Sequence, residues 1–134
     1  MIKKTIKYVD FNGIEREEDY YFNLTKAEIA EMELSVDGGL AEKVKKIVAA
    51  KDMPTLVKIF KDLVLRSYGV KSDDGRRFIK SEQLRNEFTQ TEAYSELFME
   101  LSTNADAAVA FVNGIVPKDI ESGKKELVIN TNKK

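Results

Sequence analysis

The segment from Asp52 to Tyr68 constrains the fold of this chain more than any other. Leu56, Ile59, Phe60, Leu63, Val64 and Tyr68 recur at intervals of three and four, which puts them on one broad face of an α-helix. Each such side chain is worth roughly 1.5–3 kcal/mol when fully buried, so the stripe demands a partner surface and packing decides the fold. Asp52 and Pro54 suit the cap and first turn of this helix, and Gly69 its end.

Helical signals continue on both sides. Thr25 and Glu28 form a capping box for a helix reaching about Val36, stopped by Asp37-Gly38-Gly39. Leu40, Val44, Ile47 and Val48 share one face of the next helix. Residues 69–80 hold two glycines and no helical period, so they read as a loop with at most a short extended piece. Ser81 caps a short helix carrying Leu84 and Phe88. A second capping box, Thr89-Gln90-Thr91-Glu92, opens a helix that turns Tyr94, Leu97, Phe98 and Leu101 inward. Asn104 caps a last helix from Ala105 to about Asn113, ended by Gly114 and Pro117.

The N-terminus has a different period. Thr5–Phe11 and Ile14–Phe22 are rich in β-branched and aromatic residues and flank Asn12-Gly13, which suits a type I′ hairpin turn. Ile6 and Tyr8 fall on one face, Val9 and Phe11 on the other. An isolated hairpin is marginal in water, so a bulge or a partner is expected. The resulting fold class is α+β and predominantly α: an N-terminal hairpin over residues 3–22, a bundle of about six helices within 24–116, and a flexible tail over 118–134, the whole of 1–117 forming one domain.

Composition narrows the function. The chain has no histidine, no cysteine and no tryptophan, so it lacks an imidazole base near neutral pH, a thiolate nucleophile and a soft metal ligand. With 43% hydrophobic residues, a chain of this length buries roughly two-thirds of its unfolded surface, so a true core is available. Twenty-two basic residues against 23 acidic ones give no global field to draw in nucleic acid or an anionic bilayer. Met1-Ile2-Lys3-Lys4 is not followed by an apolar run, and a soluble cytoplasmic protein is expected.

The remaining motifs fail as chemistry. Placing Gly75 or Gly38 at the sixth position of a calcium loop puts Ser81 or Val44 at the twelfth, where a bidentate carboxylate is required. Gly123-Lys124-Lys125 lacks the upstream glycine and following hydroxyl of a phosphate loop. No catalytic residue, cofactor or metal is therefore expected. Arg76-Arg77-Phe78 with Lys80 could hold phosphate while an aromatic ring stacks on a base; the alternative is that Phe78 docks its loop on the core while the arginines pair with acids or a protein. Tyr94 and Phe98 belong either to the core or to a groove for a partner helix. Arg76, Arg77, Phe78, Tyr94 and Phe98 are the candidate partner-binding residues.

Four phrases in this order, Tyr21 to Glu28 (YFNLTKAE), Asp74 to Phe78 (DGRRF), Gln90 to Phe98 (QTEAYSELF) and Ala110 to Pro117 (AFVNGIVP), resemble the tail assembly chaperones of long, non-contractile-tailed bacteriophages and related prophages of Gram-positive bacteria. The resemblance implies a non-enzymatic protein of the bacterial host cytoplasm, absent from the mature virion. It implies binding to the tape-measure protein, which is kept soluble, and recruitment of tail-tube subunits; self-association would follow if the hairpin edge or an apolar helix face meets a neighbouring subunit, and the balanced charge leaves no nucleic-acid or membrane partner expected. Covering long apolar segments of such a client would guard it against aggregation. Family members are often made in two lengths by frameshifting, and a slippery run encoding Gly123-Lys124-Lys125 would be consistent with that. Two rival functions stay open: a nucleic-acid-binding phage regulator and a structural component of the phage particle.

Overall fold

The computed structural model describes residues 1–32, 45–47 and 49–117. The first-helix extension to Val36, the Asp37-Gly38-Gly39 stop, the positions of Leu40, Val44 and Val48, and the tail over 118–134 lie outside the described residues.

Strands β1 (Ile2–Val9) and β2 (Glu15–Phe22) form the expected N-terminal hairpin, in an unbroken antiparallel register from Ile2↔Phe22 to Val9↔Glu15. No bulge interrupts the strands themselves. The support comes instead from two further strands, β3 (Tyr68–Lys71) and β4 (Phe78–Ile79), which complete a four-stranded antiparallel sheet in the order β1-β2-β3-β4. The segment read as a loop is thus a second hairpin, and Tyr68 starts a strand instead of ending a helix. Both strands are too short to leave a period of their own. They exist because Tyr21 and Phe22 supply the ladder for Gly69 and Tyr68.

The described residues include five helices: α1 (Lys26–Met32), α2 (Met53–Ser67), α3 (Glu82–Thr89), α4 (Glu92–Thr103) and α5 (Ala105–Ile115). Residues 45–47 are also helical. The caps follow side-chain chemistry. The Thr25 hydroxyl accepts from the Glu28 N–H at 3.1 Å while the Glu28 carboxylate accepts from the Thr25 N–H at 2.9 Å, a reciprocal capping box. Asp52, Ser81 and Asn104 accept from Thr55, Leu84 and Ala107. The cap of α4 is Thr91, which accepts from the Tyr94 N–H at 3.1 Å. Thr89 is the last residue of α3, its hydroxyl donating back to the Asn86 carbonyl. The second capping box therefore does not form as read, because α3 runs through its first residue.

The core lies between one sheet face and the helices. Ile6, Phe22, Leu24, Leu56, Phe60, Leu63, Val64, Phe88, Leu97, Leu101, Phe111, Val112 and Ile115 are all buried. A continuous set of rings joins sheet to helices: Tyr68 stacks on Phe88 at 4.4 Å, Phe22 meets Phe111 edge-on at 5.3 Å, and Phe88 meets Tyr94 at 5.5 Å. Helix α5 passes through Gly114 without stopping. A Cβ there would lie 2.8 Å from the Ile2 side chain, so this glycine lets the helix close on β1 and is no terminator.

Lys80 ties the ends of several elements together. Its ammonium donates to the Asn23 carbonyl at 2.7 Å, the Arg66 carbonyl at 2.8 Å and the Glu28 carboxylate at 2.7 Å. Three donors meet three acceptors, and the site is satisfied.

Candidate protein-docking surface

Alternation along the hairpin divides the sheet into two faces. Ile2, Ile6, Tyr8, Tyr20 and Phe22 point toward the helices, while Lys3, Thr5, Lys7, Val9, Glu15, Glu17 and Asp19 are exposed on the other face. Glu18 lies on the inward side of the hairpin at its solvent-facing rim, its side chain still 41% exposed. It accepts from the hydroxyls of Tyr8 at 2.5 Å and Tyr20 at 2.8 Å, and the Tyr8 bond above all holds its carboxyl below the usual range.

The hairpin turn is where exposure is greatest. Phe11 is 77% exposed, and Val9 and Ile14 beside it are 52% and 51% exposed. Three large apolar side chains at one tip are a patch that water does not favour. The turn that presents them is built firmly. One oxygen of Asp10 accepts from the Asn12 and Ile14 amides at 2.9 and 3.0 Å, and the other accepts from the Arg16 guanidinium at 2.6 Å. That guanidinium, with the Ile14 amide, holds the Asp10 carboxyl below its ordinary value. Gly13 adopts φ +80° and is the turn's one residue in the left-handed region. With Gly13 N–H donating to the Asp10 carbonyl, this is a three-residue loop with a glycine bulge in place of the two-residue type I′ turn expected. The change matters because it moves Phe11 out of the strand and onto the turn. Its sequence signal was an aromatic residue directly beside Asn-Gly, read as strand.

The sequence-derived candidates fall into two groups. Arg76 and Arg77 are exposed on the turn between β3 and β4, whose backbone is fixed by Asp74 accepting from the Arg76 amide and by the Ser72 hydroxyl accepting from the Arg77 amide, both at 3.0 Å. The Arg76 amide, with the Ser72 hydroxyl donating to the carboxylate at 2.7 Å, holds the Asp74 carboxyl low. Neither guanidinium has an acidic partner among the described residues. Phe78 docks this turn on the sheet: its ring covers Gly69, where a Cβ would sit 2.7 Å from the ring. Tyr94 and Phe98 lie at the rim of the core, half-buried, with their rings 5.9 Å apart. Burial raises the Tyr94 phenol. Phe78 lies on the outer face of the sheet and Tyr94 on the helical side, so the fold does not gather the five residues into one site.

Because β3 runs antiparallel to β2, it runs in the direction of β1. Both turns therefore lie toward the same end of the sheet, one apolar at its tip and one cationic.

A family model described as phage tail assembly chaperone matches residues 1–133. No curated protein and no solved structure matches the chain.

Proposed function

The chain belongs to the phage tail assembly chaperone family, and from that premise we propose that it acts on the tape-measure protein, holding its exposed apolar helical segments in solution and helping to recruit tail-tube subunits around it. The observation that carries this reading is the apolar tip of Val9, Phe11 and Ile14 on a turn held rigid by Asp10. A preorganised apolar knob loses little conformational entropy on contact. Many weak contacts along one long client give avidity without any tight single site. The work needs no reaction, in keeping with a chain that has no histidine and no cysteine. It is done in the host cytoplasm, before the protein leaves the finished particle, and the phage is one with a long non-contractile tail and a Gram-positive host.

The test is co-expression with the tape-measure protein of the same phage. Wild type raises the soluble fraction of that client; Phe11→Ser folds normally and loses most of the effect. A client equally insoluble with and without the wild-type chain overturns the reading. Stoichiometric presence in purified virions would instead make the protein a structural component. Salt-dependent retention of DNA, lost in Arg76→Ala with Arg77→Ala, would make it a nucleic-acid regulator.

A further inference from the structure

The outer edge of β1 has no strand beside it among the described residues. The Asp10 N–H donates across the hairpin to the Ile14 carbonyl. Amide directions alternate along an antiparallel strand, so Ile2, Lys4, Ile6 and Tyr8 turn their backbone groups toward β2, while Lys3, Thr5, Lys7 and Val9 turn theirs outward. Such a row is a template for one more strand. It also has a floor: Thr5, Ile6 and Lys7 of β1 and Glu96, Leu97 and Glu100 of α4 line a hollow of about 270 Å³ beside the edge. The two acids of this floor hold one cation between them among the described residues, Lys4 at 3.3 Å from Glu100. What fits is a short extended segment that brings apolar side chains and a further positive charge.

From this geometry we infer that residues 124–129 of the same chain add to the outer edge of β1 as a further strand. Lys124-Lys125-Glu126-Leu127-Val128-Ile129 stands between Gly123 and Asn130, and a run with β-branched residues bounded by turn formers is a strand signal. Its two lysines match the acids of the floor. The place where the described chain ends puts the segment within reach. A Cβ on Gly114 would lie 2.8 Å from the Ile2 side chain, so Pro117, three residues on, stands within about 15 Å of the start of β1. Residues 118–123 extend at most about 20 Å, which brings Lys124 to the start of an edge that is itself about 27 Å long. The added strand therefore runs parallel to β1, with Lys124 at the Lys3 end and Asn130 at the Val9 end. This inference concerns the side of the hairpin and does not depend on what its apolar tip binds.

Amide hydrogen exchange of the full chain tests it. In wild type the outward amides of Thr5 and Lys7 exchange at least about a hundredfold more slowly than in an unstructured peptide. Leu127→Pro with Val128→Pro removes two adjacent donors from the added strand, and protection at Thr5 and Lys7 falls at least about tenfold. The Ile6 and Tyr8 amides, bonded to β2, stay protected and show that the fold is retained. Lys124→Glu with Lys125→Glu has a smaller effect at the same two amides, about two- to fivefold. Because the chain has no cysteine, a nitroxide on Asn130→Cys marks a single site and identifies the occupant. It broadens the Lys7 and Val9 amides of its own molecule and leaves those of nitroxide-free, isotope-labelled copies mixed with it unchanged. Free exchange at Thr5 and Lys7 in wild type overturns the inference. So does protection that survives the two prolines, or broadening that passes to the mixed copies, which would give the edge to a second molecule.

Discussion

The turns at Asp10–Ile14 and Ser72–Arg77 are built alike and display opposite chemistry. In each, an aspartate carboxylate accepts from backbone amides ahead of it, two at Asp10 and one at Asp74, and a glycine adopts positive φ, +80° at Gly13 and +74° at Gly75. The first turn is locked further by the Asp10–Arg16 ion pair, the second by the neutral Ser72 hydroxyl. What they present differs: Phe11 with Val9 and Ile14 in one case, Arg76 and Arg77 in the other. The lesson is that the turn scaffold is local and interchangeable, whereas function depends on the side chain that the scaffold leaves over.

The largest separation of the two turns is expected from Gly69→Ala. The added Cβ would meet the Phe78 ring at 2.7 Å and the Ile79 carbonyl at 2.9 Å. The ring can swing but the carbonyl cannot, so the β3·β4 hairpin is displaced at a cost of about 2 kcal/mol. Thermal unfolding should report that loss, and hydrogen exchange should quicken at Arg77 and leave Ile14 unchanged. Equal quickening at both turns would mean that the two hairpins are one cooperative unit.

Acid should act on both turns and on the Lys80 junction. Burial pushes the Glu28 carboxyl up, but the Lys80 bond and the Thr25 amide outweigh it and leave the folded value lowered; Asp10, Glu18 and Asp74 are lowered as well. A folded-state pKa below the unfolded one contributes stability that is fully present above the ordinary carboxylate range. That contribution is lost as pH falls through the depressed values. Stability should therefore be level from neutral pH down to the upper end of that range and decline below it. In Asp10→Asn with Asp74→Asn the decline should be shallower, as a Tm-versus-pH series would reveal.

The smallest effects sharpen the likeness. A Cβ at Gly13 or Gly75 meets nothing within 4 Å, so alanine at either position costs only its left-handed strain, about 1 kcal/mol each. Chemical denaturation should give nearly equal losses for the two variants. A much larger loss at Gly13 would show that the first turn carries packing as well as conformation.

Legibility in the sequence followed the range of the interaction. Thr25, Ser81 and Asn104 declared their caps because the hydroxyl or carboxamide that satisfies an end amide sits three residues from it. The Leu56-to-Val64 stripe was legible because its period is internal to one helix. Tyr68 was misplaced because it continues that period by chance of spacing, and only pairing with Phe22 across the sheet turns it into a strand. Of the candidate partner residues, Arg76 and Arg77 do stand free of acidic partners among the described residues. Tyr94 and Phe98 lie at the core rim, an environment that a helical period alone does not distinguish from a groove.

By itself, the sequence determined an α+β chain with a capped helical series, an N-terminal hairpin around Asn12-Gly13 and no histidine or cysteine chemistry. These depend on contacts within a few residues or on composition. Tertiary structure alone decided that Tyr68–Lys71 and Phe78–Ile79 join the sheet as strands, and that Gly69 and Gly114 are points of close approach. Each of these is a relation between segments distant in the chain, and the free energy of such a contact exists only once both partners have been brought together.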